Sequence, residues 1–133
     1  MKIVADNNIP HVVECFSTIG EVETASGRQI TPKLIKNADV LLVRTVTKVG
    51  QDLLSGSSVK FVGTATIGFE HIDKQYLDEK NIAFASAPNS NANSVAEYVV
   101  AALLSCAEKQ RITLAGKSIG IIGVGSVGSR VEK

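Results

Sequence analysis

Ile119-Gly120-Ile121-Ile122-Gly123-Val124-Gly125-Ser126-Val127-Gly128 is the stretch on which the reading of this chain turns. A short apolar run is followed at once by glycines in a G-x-G-x-x-G spacing: Gly123, Gly125 and Gly128. Each glycine has a separate job in a strand–turn–helix unit. The first permits the tight turn, the second lets the backbone approach a pyrophosphate, and the third allows helix and strand to pack closely. The amides of Ser126 and Val127 would then face the phosphates from a helix start, where the backbone dipole favours an anion. The triplet alone is weak evidence, since glycines also mark ordinary turns. Preceded by residues 118–122, which read as a sixth strand, it points to a dinucleotide site at Gly123, Gly125, Ser126, Val127 and Gly128.

Upstream, five short β-rich runs alternate with helical segments. The runs are residues 2–5, 21–24, 40–43, 60–63 and 82–85, mostly apolar at consecutive positions, as in parallel strands covered on both faces. Between them, residues 10–19 read as a helix with proline near its start. Thr31-Pro32 supplies an N-cap and a first-turn proline, and Asp73 caps a helix running to Lys80, where Asn81 stops it. This alternation predicts an α/β domain with a parallel, flavodoxin-like sheet. From Asn93 to Gln110 the pattern becomes one long helix, with Ser94-Val95-Ala96-Glu97 resembling a capping box one residue out of register. About 16 residues would span roughly 24 Å, long enough to leave one domain and enter another. The expected organisation is 1–92 as a substrate domain, 93–115 as an interdomain helix and connection, and 116–133 as the opening of a Rossmann nucleotide-binding domain.

Composition excludes several classes. The 133 residues carry 14 Lys+Arg against 13 Asp+Glu, so no basic block neutralises a run of phosphates, and no nucleic-acid partner is expected. Aromatic residues are 5% and Trp is absent, which leaves no stacking platform for single strands. The longest apolar stretch, Tyr98 to Leu104, falls far short of the roughly 20 residues of a membrane span. The amino terminus meets Asp6 too early for a signal-peptide core. Cys15 and Cys106 match no metal spacing and read as reduced, buried packing residues of a cytoplasmic protein.

Three further blocks, with the glycine motif, make the chain resemble one family. They are Leu42-Val43-Arg44-Thr45-Val46-Thr47-Lys48-Val49, Phe61-Val62-Gly63-Thr64-Ala65-Thr66-Ile67-Gly68 and Ala87-Pro88-Asn89-Ser90-Asn91-Ala92. Together with Val95-Ala96-Glu97-Tyr98-Val99 they occur in this order in the D-isomer-specific 2-hydroxyacid dehydrogenases. With Asp6-Asn7-Asn8-Ile9-Pro10, the resemblance extends over the whole chain and favours a branch acting on a phosphorylated hydroxy acid. It implies an NAD-dependent oxidoreductase, a homodimer at full length, and a substrate held in the cleft between two domains.

The resemblance assigns substrate contacts to Thr45 and Thr66, whose hydroxyls both donate and accept; the alternative is that each only caps a turn. Arg44, with a bidentate fork, is a candidate for the substrate phosphate, and Lys48 a weaker one. The amides of residues 65–68 are a candidate anion nest. The family's catalytic histidine, its acidic partner and the carboxylate-binding arginine lie beyond the glycine motif, so no catalytic residue is expected here, nor activity from these residues alone. His71 and His11 accordingly read as structural, and Glu97 and Glu108 as polar positions of the long helix. The opposing class is a stand-alone flavodoxin-like binding module. A phosphoacceptor receiver would need an aspartate ending its third strand, where Arg44-Thr45 stand. A flavin-phosphate module would need a hydroxyl-rich first loop, where Asp6 to Pro10 stand.

Overall fold

The computed structural model describes residues 1–132, which fall into two compact units divided after Pro88. The first is a five-stranded parallel sheet. Its strands are β1 (Lys2–Asp6), β2 (Glu21–Ala25), β3 (Val40–Val43), β4 (Phe61–Thr64) and β5 (Ala83–Ala85), in the order β2-β1-β3-β4-β5. Register pairs Ile3 with Val40, Val40 with Phe61 and Phe61 with Ala83, so the strand ends stay level across the centre. The order reverses between β1 and β3, the pattern of a doubly wound sheet.

The strands are apolar on consecutive residues because both faces are covered. Val4, Leu41, Val43 and Val62 pack with Ile30, Ile35, Leu53, Leu54, Ile72 and Leu77. Their neighbours Ile3, Ala5 and Leu42 point the other way, onto Val12. Alternate side chains thus leave each strand on opposite sides, and each side meets apolar partners.

Short helices make the crossovers: α1 (Val12–Phe16), α2 (Pro32–Ile35), α3 (Gln51–Leu54) and α4 (Lys74–Glu79). The Thr31 hydroxyl accepts from the Leu34 amide at 3.4 Å, with Pro32 at the first helical position. Asp73 Oδ1 accepts from the Tyr76 amide at 3.0 Å, and Asn81 leaves α4 in the left-handed region at φ 54°. The first helix is shorter than expected. His11 sits at φ 57°, a left-handed turn that delays the helix to Val12 and leaves Pro10 outside it.

The second unit holds α5 (Ala92–Gln110), an irregular segment with turns over residues 111–127, and α6 (Gly128–Val131). α5 begins after Asn91 with no side-chain cap, so Ser94 does not close a capping box. At 19 residues it is longer than expected, but no helix of the described residues is long and apolar enough to cross a membrane. Residues 118–122 form no strand, correcting the sequence expectation. A parallel strand exists only through a ladder with a neighbour, and none of the described strands pairs with this segment; Ile122 is fully exposed. Both cysteines are exposed rather than buried. Cys15 follows Val13 and Glu14 on the outer side of α1, and Cys106 lies among exposed residues of α5.

Candidate functional site

The loops after β3 and β4 meet along an open groove of about 630 Å³ at the carboxyl edge of the sheet. Thr45 and Lys48 line one side, and Glu70, His71 and Asp73 the other. Val49 joins the two loops: its amide donates to the His71 carbonyl and its carbonyl accepts from Asp73, each at 2.8 Å. This single pair of backbone bonds, between segments over twenty residues apart, fixes the groove's two walls. Val49 and Ile72 are buried beneath it, so the floor is apolar and the rim polar.

Thr66 is half-buried and does not line the groove. Its hydroxyl donates to the Gly68 carbonyl at 3.0 Å and meets the Thr64 hydroxyl at 2.7 Å. Thr64, buried at the end of β4, also contacts His71 Nε2 at 3.1 Å. Burial pushes the His71 pKa below its ordinary 6.5, while the charge of Glu70 pulls it back upward. The structure therefore brings Thr45, Lys48 and His71 to one groove and links Thr66 to it through Thr64.

Arg44 stands apart. It is half-buried at the end of β3 and does not line the groove, although Lys48 does. Of the candidate nest over residues 65–68, one amide is already engaged: Ala65 donates to the Val43 carbonyl at 3.0 Å and extends the ladder. His71, which reads as structural from the sequence, lines this groove. The sequence signal for its partners is the pair of hydroxyls at Thr64 and Thr66, seven and five positions earlier, but only a folded-back loop makes them neighbours.

In the second unit, Gly123 takes φ +88°, a conformation that L side chains resist. Gly125 faces open space. A Cβ on Gly128 would collide with the Gly123 carbonyl oxygen, so the third glycine is required by close backbone approach. The helical bonds from Ser129 to Gly125 and from Val131 to Val127 start directly behind the turn. Arg130 reaches back to the Ser126 carbonyl and to Asn93 Oδ1. Among the described residues, the Ser126 and Val127 amides donate to no backbone carbonyl, and the turn suits the phosphates of a dinucleotide. No group of His, Cys, Asp and Glu among the described residues is arranged to hold a metal ion.

The chain matches the family described as D-isomer specific 2-hydroxyacid dehydrogenase, catalytic domain, over residues 3–128. It is 49% identical over 132 residues to a protein of Salmonella arizonae named erythronate-4-phosphate dehydrogenase, covering 99% of this chain and 35% of the relative. A Marinomonas protein of the same name is 52% identical over 131 residues, covering 98% and 34%. The chain thus spans about a third of the length of the curated relatives it matches. Among solved structures, it superimposes on D-lactate dehydrogenase from Aquifex aeolicus, complexed with NAD and lactic acid. That match has a TM-score of 0.72 at 22% identity, over 98% of this chain and 46% of that one. NAD-bound 3-phosphoglycerate dehydrogenase of Entamoeba histolytica gives a TM-score of 0.72 at 26% identity, over 99% and 49%.

Proposed function

The chain belongs to the D-isomer specific 2-hydroxyacid dehydrogenase family, and from that premise we propose that it forms the substrate-side part of an NAD-dependent 4-phospho-D-erythronate dehydrogenase. The reaction would oxidise 4-phospho-D-erythronate to 2-oxo-3-hydroxy-4-phosphobutanoate, a step toward pyridoxal 5′-phosphate. Roughly 50% identity to relatives of that name, over almost every residue here, supports this choice within the family. The observation that carries it is the groove: a hydroxyl from Thr45, a cation from Lys48 and an imidazole from His71 converge on one open surface. Thr45 and His71 suit a small hydroxylated ligand and Lys48 its anionic group, beside the carboxylates Asp52, Glu70 and Asp73 that also line the groove.

In this reading Lys48 attracts the phosphate, Thr45 hydrogen-bonds the substrate, and Thr66 meets a substrate oxygen at the inner end. Arg44 remains a second candidate for the phosphate. Gly123, Gly125, Ser126, Val127 and Gly128 would hold the phosphates of NAD, which when bound supplies the hydride acceptor. These residues bind and orient; the groups that move the substrate proton are not among them. The reading extends, as the resemblance implies, to a cytoplasmic homodimer.

A chimera in which this chain replaces the matching segment of the Salmonella arizonae relative tests the assignment. NADH formation with 4-phospho-D-erythronate supports it. Turnover confined to 3-phosphoglycerate would instead favour a phosphoglycerate dehydrogenase, and a folded chimera inactive with both substrates sinks the proposal.

A further inference from the structure

The hydrogen-bond chain behind the groove has a direction that proton counting determines. A carbonyl cannot donate, so the Thr66 hydroxyl spends its single proton on Gly68. The 2.7 Å contact between Thr64 and Thr66 must then be a bond from Thr64 to Thr66. With its own proton committed, Thr64 can only accept at its 3.1 Å contact with His71 Nε2. Hence Nε2 carries a proton in the neutral ring as well as in the charged one, and Nδ1 is the site that titrates.

We propose that His71 is a positioning residue: donating from Nε2 through Thr64, it commits the Thr66 hydroxyl to Gly68 and leaves Thr66 a single acceptor lone pair. A ligand reaching Thr66 must therefore bring a hydrogen-bond donor, a hydroxyl, and not a carboxylate or phosphate oxygen. The reverse arrangement requires the Nδ1–H tautomer, with Thr64 donating to His71 and Thr66 donating to Thr64. It abandons the Gly68 bond and still leaves Thr66 with no proton for an anion. Both directions thus exclude an anionic oxygen, and the observed one adds a satisfied carbonyl. The assignment of the ligand group rests on the reading that Thr66 meets substrate; the tautomer does not.

The test uses the 133-residue chain labelled with 15N-histidine, with long-range 1H–15N correlations at a pH where His71 is neutral. The Nε2–H pattern is expected, and an Nδ1–H pattern overturns the proposal. Thr66→Val removes the acceptor for the Thr64 proton, so Thr64 turns to His71. The neutral ring should then change to Nδ1–H and its pKa should fall, because a hydroxyl donated to Nε2 favours the uncharged ring. Thr66→Ser keeps the hydroxyl and should keep the Nε2–H pattern, which separates the chain from general loosening. An unchanged tautomer in folded Thr66→Val overturns the relay, and a Thr66→Val that does not fold leaves the wild-type pattern to decide. Titration of a second, uniformly 15N-labelled sample with 4-phospho-D-erythronate and with 4-phosphobutyrate, which lacks both hydroxyls, reads the ligand side. Displacement of the Thr66 resonances by the first alone supports the acceptor role, and equal displacement by both overturns it. If 4-phospho-D-erythronate moves no groove residue, the proposed substrate fails while the tautomer result stands, so the two failures are distinguishable.

Discussion

The Thr47 hydroxyl donates to the Gly27 carbonyl at 2.9 Å, twenty positions away and out of contact with water. It ties the loop that carries Thr45 and Lys48 to the 3-10 turn at Gly27–Gln29. Gly27 itself has no room for a side chain. A Cβ there would lie 2.6 Å from Asp6 Oδ2 and from Val46 Cγ2, and 2.9 Å from Thr47 Oγ1. Asp6 is fully buried, and its Oδ2 has no hydrogen-bond partner while Oδ1 accepts from Asn8.

Gly27→Ala should therefore destabilise the chain through overcrowding, by about 1–3 kcal/mol. Thr47→Val should cost a similar ~1–3 kcal/mol by stranding the buried Gly27 carbonyl. Urea unfolding with an unchanged m-value measures both. A loss below about 0.5 kcal/mol for each would mean that the loop is not held at this point.

The depressed pKa of His71 makes a signed statement about pH. Unfolded, the imidazole titrates near its ordinary 6.5; folded, burial holds it lower. Between those two values the unfolded chain binds more protons, so stability increases with pH across that window. The contribution is fully present above pH 6.5 and is lost as pH falls from there toward the folded value. His71→Gln should remove this part of the slope, seen as the difference between wild-type and variant Tm from pH 7 downward. Glu70→Gln should steepen it, because the charge that partly restores protonation is gone. Identical pH profiles for wild type and His71→Gln would show that burial has no hold on the ring.

For the glycine turn, Gly128→Ala should disrupt the conformation while Gly125→Ala should not. The added methyl at 128 meets the Gly123 carbonyl, whereas at 125 it meets open space. Amide chemical shifts of Ser126 and Val127 report the turn directly. In the chimera, Gly125→Ala should still weaken NAD binding, since the backbone must approach the pyrophosphate there. The isolated chain should show no saturable NAD binding by calorimetry, because residues 118–122 have no strand beside them to brace the turn.

How far the sequence could be read follows from how local each feature is. β3 was readable to the residue because Val40–Val43 is apolar on both faces and bounded by polar residues. The caps at Thr31 and Asp73 were readable because each hydroxyl or carboxylate acts within three residues. α3 was missed: Gly50 offers no side-chain cap and the helix is four residues long. The late start of α1 depends on His11 adopting a left-handed turn, which histidine takes more readily than most residues but still only in a small minority of cases. The groove was legible only in part. Thr45 could be placed from its position after a strand, but the partnership of His71 with Thr64 depends on Val49 bridging two distant loops.

The last prediction concerns which cation meets the phosphate. Sequence reasoning ranked Arg44 above Lys48, on the strength of the guanidinium fork. We propose the opposite order, because Lys48 lines the groove beside Thr45 and Arg44 does not. Lys48 is exposed, so Lys48→Met should change stability by no more than about 0.5 kcal/mol. In the chimera it should raise KM for 4-phospho-D-erythronate with little change in kcat, the mark of an interaction made equally in ground and transition states. A charge-assisted hydrogen bond is worth about 1.5–3 kcal/mol, which corresponds to a 10- to 100-fold loss in kcat/KM. Exposure and salt place the expectation at the lower end, and the effect should shrink further as ionic strength rises. Thr45→Val should also lower kcat/KM, but without the salt dependence, since it removes a hydroxyl and not a charge. Arg44→Met should change KM by less than Lys48→Met. The opposite ranking, with Arg44→Met costing tenfold or more and Lys48→Met nothing, would move the phosphate to the end of β3 and away from the groove.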